Sequence, residues 1–170
     1  MQHLLVIAQE SSLRKPENRY KTLKQIEILA GISWQGNTAD KVSIMRYGEI
    51  GIAKSIHSHG RHGPATIGIY LAEEIHLGGG NSVFGTKLGF YTHYMFDIGM
   101  AVIYYTDFQK GNLKLRPELG IGMGAIRAVF GFNISTINNR AFELLRQNNA
   151  QLSLQFMIPV KKTEKLFSNN

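Results

Sequence analysis

LKLRPELGIGMGAIRAVFGFNI, residues Leu113 to Ile134, alternates on both sides of a glycine-bearing turn. In its first run Leu115, Pro117, Leu119, Ile121 and Met123 share one face, and Arg116, Glu118, Gly120 and Gly122 share the other. In its second run Ala128, Phe130, Phe132 and Ile134 oppose Val129, Gly131 and Asn133. A period of two that survives a turn predicts a β-hairpin with one greasy face and one face that is charged or bare.

The same pattern extends outward in both directions. Upstream, a strand is predicted over Gln25–Trp34, with Ile26, Ile28, Ala30, Ile32 and Trp34 on one face. A second runs from Lys41 to about Ile56, its greasy face interrupted by Arg46 and Lys54. After a loop at His57–Pro64, a third strand over Ala65–Leu77 alternates cleanly except for Glu73. Beyond Gly78-Gly79-Gly80-Asn81 come a fourth strand, Phe84–Tyr94, a tight turn at Met95-Phe96, and a fifth strand carrying Ile98, Met100, Val102 and Tyr104. Asp107–Asn112 reads as a loop leading into the quoted hairpin, which supplies strands six and seven. Downstream, Ser135–Ala150 is the longest connection, with one or two helical turns expected at Ala141–Gln147, and Gln151–Ile158 is the eighth strand, ended by Pro159. Residues 1–18 read as a flexible tail or the remnant of a signal, 19–159 as one domain, and 160–170 as a basic tail.

Composition narrows the class. At 170 residues the chain fits one domain able to bury its own core. The absence of cysteine removes disulfides, thiolate metal sites and cysteine nucleophiles. No apolar run approaches the roughly 18–20 residues that a membrane-spanning helix requires. The formal charge of +7 would suit nucleic acid, anionic lipid or polyanionic sugar, but much of it falls in tails and turns, at Arg14, Lys15, Arg19, Lys21, Lys24, Lys161, Lys162 and Lys165. No aromatic platform interleaved with basic residues points to nucleic acid, and none is expected as a partner.

Eight antiparallel strands with short turns predict an up-and-down meander closed into a barrel, which removes both exposed edges. Which face is inside follows from the glycines. An eight-stranded barrel is only wide enough for side chains to fill. A face bearing Gly31, Gly51, Gly68, Gly85, Gly89, Gly99, Gly120, Gly122 and Gly131 suits that narrow space, whereas a solvated face gains nothing from glycine. The bulky face then looks outward, toward lipid, and the fold expected is an all-β, eight-stranded transmembrane β-barrel. With the amino terminus on the periplasmic side, the odd connections face outside and the even ones, at Met95-Phe96 and Gly124-Ala125, are tight; His57–Pro64 is longer than such a turn should be.

The strand order, the run Leu115-Arg116-Pro117-Glu118-Leu119-Gly120-Ile121-Gly122 and the following Phe130-Gly131-Phe132-Asn133 resemble the small outer-membrane β-barrel proteins of Gram-negative bacteria, over about residues 20 to 159. The resemblance implies a bacterial outer-membrane location in the cell envelope, with outer-membrane lipid as the surrounding partner. One departure is that such proteins usually end on a strand with a terminal aromatic residue, while here Phe156 lies within the last expected strand and a tail follows.

Three residue sets are singled out. Glu27, Glu49, Glu74, Lys87, Arg116 and Glu118 fall on the inner face, where unpaired charge is heavily penalised, so they are expected to form an ion-pair plug, the alternative being an ion path. His57, His59 and His62 have spacing that could approach a transition metal, against which stands a solvated histidine turn. Trp34, Phe84, Tyr94, Phe96, Tyr104 and Phe108 fall toward strand ends, as an aromatic girdle at lipid headgroups would, or as ordinary turn-flanking aromatics. Ser55, Ser58, His57 and His59 lie close in sequence without an acid beside them, and the His-x-Ser-Asn pattern that marks resemblance to lipid A deacylases is absent. The expected role is therefore structural or adhesive, through the outer loops and an unidentified protein or glycan partner, with no catalysis and no cofactor. The competing readings are a soluble lipocalin-like barrel holding a small apolar ligand and a lipid-modifying outer-membrane enzyme.

Overall fold

The computed structural model describes residues 20–36, 44–60, 63–78, 83–123, 125–136 and 149–167. Its strands are β1 (Tyr20–Gly36), β2 (Met45–Gly60), β3 (Gly63–His76), β4 (Phe84–His93), β5 (Asp97–Thr106), β6 (Gly111–Met123), β7 (Ile126–Phe132), the two-residue β8 (Ile134–Ser135) and β9 (Ala150–Phe167). No helix occurs among the described residues. All pairings are antiparallel. Each long strand pairs with the next in the chain, β7 pairs with β9, and β9 returns to β1, so the sheet is a ring. Short β8 continues the β7 side of the hairpin against Lys114 and Leu115 of β6.

The alternation read from sequence sorts side chains by face around this ring. Following cross-strand partners from β9 gives Ile158, Ile28, Ile52, Leu71, Leu88, Val102, Leu115 and Ile134, an apolar row in which each residue directly opposes the next. This row lies on the outer face: Ile52 and Leu88 are each 60% exposed. Ile67, Leu119 and Phe130 are likewise exposed and do not cluster within the ring. Arg116, Lys87, Glu74, Tyr70 and Tyr105 are buried inside it instead.

The inner glycines have a specific use. Gly68 faces Tyr91, Gly89 faces Tyr70 and Gly85 faces Tyr105 across neighbouring strands. A Cβ on Gly68 would stand 2.5 Å from the Tyr91 ring, and one on Gly85 2.6 Å from the Tyr105 ring. Each glycine is therefore the seat of a tyrosine laid flat across its neighbour, which restores packing that glycine alone would forfeit. Larger residues at these positions would collide with a ring that the narrow interior holds in place.

The structure changes several expected boundaries. The first strand begins at Tyr20, five residues before the alternation is obvious. The loop expected over His57–Pro64 is mostly strand: β2 runs to Gly60, and β3 starts at Gly63, whose φ of 106° opens the hairpin in a region that glycine alone enters freely. β6 begins at Gly111, within the expected loop. Pro159 does not end the last strand; β9 passes through it to Phe167, so residues 160–167 are strand rather than tail. Proline cannot donate to the ladder, and the register accordingly slips by a bulge between Ile26 and Glu27, where Glu27 pairs with Pro159 and Ile26 with Lys161. The helical turns expected at 141–147 and the tail 1–18 lie outside the described residues.

Candidate functional site

The inner face supplies a charged cluster and, at one end, an open cavity. In the cluster Glu74 from β3 is the hub. Its carboxylate accepts from Arg116 Nη1 at 2.6 Å, from the Tyr105 hydroxyl, and from Gln35 Nε2 at 3.1 Å, while Lys87 Nζ lies 3.4 Å away. Arg116 also donates to the Tyr105 hydroxyl at 2.6 Å and, through Nε, to Asn133 at 2.7 Å. Lys87 pairs with Glu49 and lies 4.0 Å from Glu118, which accepts from the Tyr70 hydroxyl at 2.9 Å. Gln155 of β9 donates to Glu49 at 3.0 Å. Buried Lys114 stands over the Tyr105 ring, 5.7 Å from its centroid.

Electrically this cluster balances. Glu49, Glu74 and Glu118 face Lys87, Lys114 and Arg116, so burial leaves no net charge to be solvated. The contacts reach across the ring, from β1 through Gln35 to β9 through Gln155. Such a lattice fixes register because each ion finds its partner only when distant strands are aligned.

Toward the end that carries the β2–β3, β4–β5 and β6–β7 turns, the interior opens into a cavity of about 590 Å³. Leu23, Glu27, His57, Pro64, Tyr91, His93, Asp97, Arg127, Met157 and Pro159 are among its lining residues. Arg127 grips Asp97 with Nε and Nη2, both at 2.7 Å, passes Nη1 to Gln155 at 3.1 Å, and lays its guanidinium 4.0 Å over the Tyr91 ring centroid. His93 Nδ1 stands 3.9 Å from Asp97. His57 holds Ser55 Oγ at 2.9 Å on Nε2 and Thr66 Oγ1 at 2.8 Å on Nδ1. Glu27 Oε1 is 3.7 Å from His57 Nε2, and Glu27 Oε2, fully buried, has no hydrogen-bond partner.

Five of the six charges singled out in the sequence meet in the cluster: Glu49, Glu74, Lys87, Arg116 and Glu118. Glu27 does not join them; it belongs to the cavity, next to His57. Of the histidine set, His62 and the side chain of His59 lie outside the described residues, and among the described residues no group of three His, Asp or Glu side chains could hold a metal ion. The Ser55–His57 pair has an acid nearby, yet Glu27 approaches the same Nε2 that meets the serine, while Nδ1 is taken by Thr66. A relay needs the acid on the opposite nitrogen. Ser58, an odd step from His57 along β2, belongs to the other face. Among the aromatics, Tyr94 and Phe96 sit at the β4–β5 turn, whereas Phe84 and Phe108 meet at the opposite end with ring centroids 5.2 Å apart. Trp34 and Tyr104 stand near that same end.

Sequence reading missed Lys114, Asp97 and Arg127. Their inward parity was visible for Lys114 and Arg127 in the quoted hairpin, but the Asp97–Arg127 pair joins β5 to β7, strands that are not neighbours in the sheet. No protein-family model and no curated protein sequence matches the chain significantly.

Proposed function

We propose that the chain is a transmembrane β-barrel of a bacterial outer membrane, an up-and-down meander of eight long strands whose interior is plugged by ion pairs. It serves as a structural or loop-mediated binding module, and neither conducts nor catalyses. The observation that carries this is the inverted distribution of side chains: most isoleucine, leucine and phenylalanine outside, and Arg116, Arg127, Lys87, Lys114, Glu27, Glu49, Glu74 and Glu118 within. Water is a poor neighbour for the first set, and a hydrocarbon solvent all round the ring suits it.

Three further features support the reading. On β2 the outward cations Arg46 and Lys54 stand eight residues apart, about 27 Å along a strand and about 20 Å along the membrane normal at a tilt of roughly 40°. Their long side chains can reach headgroups from either rim of an apolar band of that height. The connections also differ by end. Those after β2, β4 and β6 span two or three residues, and those after β1, β3, β5 and β8 are longer. Short turns on one side and long loops on the other are usual for outer-membrane barrels. The shortening of the β2–β3 connection removes the one turn that fitted badly. The aromatics, finally, gather near both ends, as headgroup-level side chains would.

A soluble cup for an apolar ligand needs an apolar interior, and here buried ionic side chains share the interior with tyrosines and a few aliphatic residues. Binding by this protein is accordingly assigned to the long connections, chiefly residues 136–149 and 77–83, and to a protein or glycan there. Fractionation tests the proposal. The expressed protein should stay with carbonate-washed membranes, dissolve in detergent, and migrate differently on a gel before and after heating. A monodisperse protein in plain buffer with no heat-dependent band would refute it.

A further inference from the structure

We infer that the cavity at the short-turn end binds a small organic ammonium ion, with the Glu27 carboxylate as its partner. The inference goes beyond the membrane reading and does not depend on it, since the cavity belongs to the ring itself.

Where the central cluster matches three carboxylates with three cations, the cavity sets Glu27 and Asp97 against Arg127, the one Arg or Lys in its lining, so one carboxylate is left over. That charge can be located. Asp97 is held by the Nε–Nη2 edge of Arg127, whose Nη1 is taken by Gln155 and whose face is covered by Tyr91. Glu27 has no such partner. Its Oε2 is buried without a hydrogen bond, and its residue is only 4% exposed. A carboxylate oxygen removed from water and left unmatched is costly, and what offsets that cost is a donor.

A further donor can enter from the cavity, which Glu27 lines. His57 uses both ring nitrogens on Ser55 and Thr66. An ammonium group, which carries three donors and no acceptor, suits Glu27 Oε2. An anion does not, because Arg127 is already committed. Leu23, Pro64, Met157 and Pro159 offer apolar wall for a short hydrocarbon body, and a cavity of about 590 Å³ is of small-ligand size. The β-bulge at Ile26/Glu27 stands at this same place, and bulges re-aim side chains beside binding sites. The ion-paired cluster farther in closes the path, so the ligand is held rather than passed.

Methyl NMR of the full chain, refolded in detergent, tests this through Met157, whose signal is identified with Met157→Leu. Titration with n-butylammonium should move the Met157 methyl saturably, whereas n-butanol, its neutral counterpart, and butyrate should not. Glu27→Gln should weaken binding by about tenfold or more, as loss of a charge-assisted hydrogen bond does. Leu23→Trp, which fills the cavity and keeps the carboxylate, should also abolish it. Equal response to butanol, preference for butyrate, no saturation, or unchanged affinity in Glu27→Gln would each overturn the inference. Should Glu27→Gln fail to fold, the three probes on the unaltered chain and Leu23→Trp decide it. Heat-dependent migration reports separately on the membrane reading, and if the protein proves soluble the same titration runs in plain buffer.

Discussion

Replacing Arg116 by methionine keeps most of its volume and removes the cation that Glu74 leans on. The change deletes the 2.6 Å bond to Glu74, the 2.6 Å bond to Tyr105 and the 2.7 Å bond to Asn133. Glu74 keeps Lys87, 3.4 Å away and already paired with Glu49, along with the neutral donors Tyr105 and Gln35. The cluster then holds three carboxylates against two cations in a buried interior. Breaking a buried pair from one side costs about 3–5 kcal/mol. With a urea dependence of about 2 kcal/mol per molar, the unfolding midpoint should fall by roughly 2 M. Fluorescence of Trp34, the sole tryptophan, reports the transition in detergent. The double variant Arg116→Met/Glu74→Gln restores balance, leaving Glu49 and Glu118 with Lys87 and Lys114, and should recover at least about half of the loss, since contacting residues are strongly non-additive. A midpoint shift below about 0.5 M, or a double variant as unstable as the sum of the singles, would refute the idea that charge matching organises this interior.

Other tests address the outer face, the glycine seats and one loop. Leu88→Arg, in the middle of the apolar row, should cost about 2–4 kcal/mol for refolding into bilayers, whereas on a water-facing surface the same change stays within about 0.5 kcal/mol; the refolding midpoint in urea separates the two. Gly68→Ala should destabilise by about 1–3 kcal/mol by pushing on the Tyr91 ring, and adding Tyr91→Ala should relieve that clash, giving a double variant more stable than additivity predicts. In the β5–β6 connection, the backbone N–H of Lys110 and then that of Gln109 hold the Asp107 carboxyl below its usual 3.8. A depressed folded value means the carboxylate supports the loop at neutral pH and that this support is lost as pH falls through the depressed value. Amide shifts of Gln109 and Lys110 should titrate with a midpoint below 3.8, and Asp107→Asn should erase the titration; a midpoint at or above the usual value would contradict the geometry.

Which residues face inward was legible in the sequence because strand parity is local. Alternation placed Glu74, Lys87, Arg116 and Glu118 on one face, and the glycines told which face that was. Partnership was not legible, because it depends on register between strands far apart in the chain. Glu27 has inward parity like the others, but its position near the short-turn end sets it beside His57 and away from Lys87. Pro159 misled for a related reason. Proline normally ends a central strand, but here a bulge takes up the missing donor and pairing with β1 resumes at Lys161. The His57–Pro64 segment read as loop because its histidines and glycines hide the alternation, while Ser55, His57 and Thr66 hold each other across the hairpin.

The β1–β9 seam gives the protein a timetable. β1 finds its second neighbour only in β9, whose paired residues are synthesised 114 to 147 positions later, so contacts of very long sequence separation must form before the circle shuts. During that interval the emerging chain offers an unclaimed strand edge and a sticky hydrocarbon flank to anything nearby. The ring therefore cannot close until β9 is made, and until then the far edge of β1 has no partner.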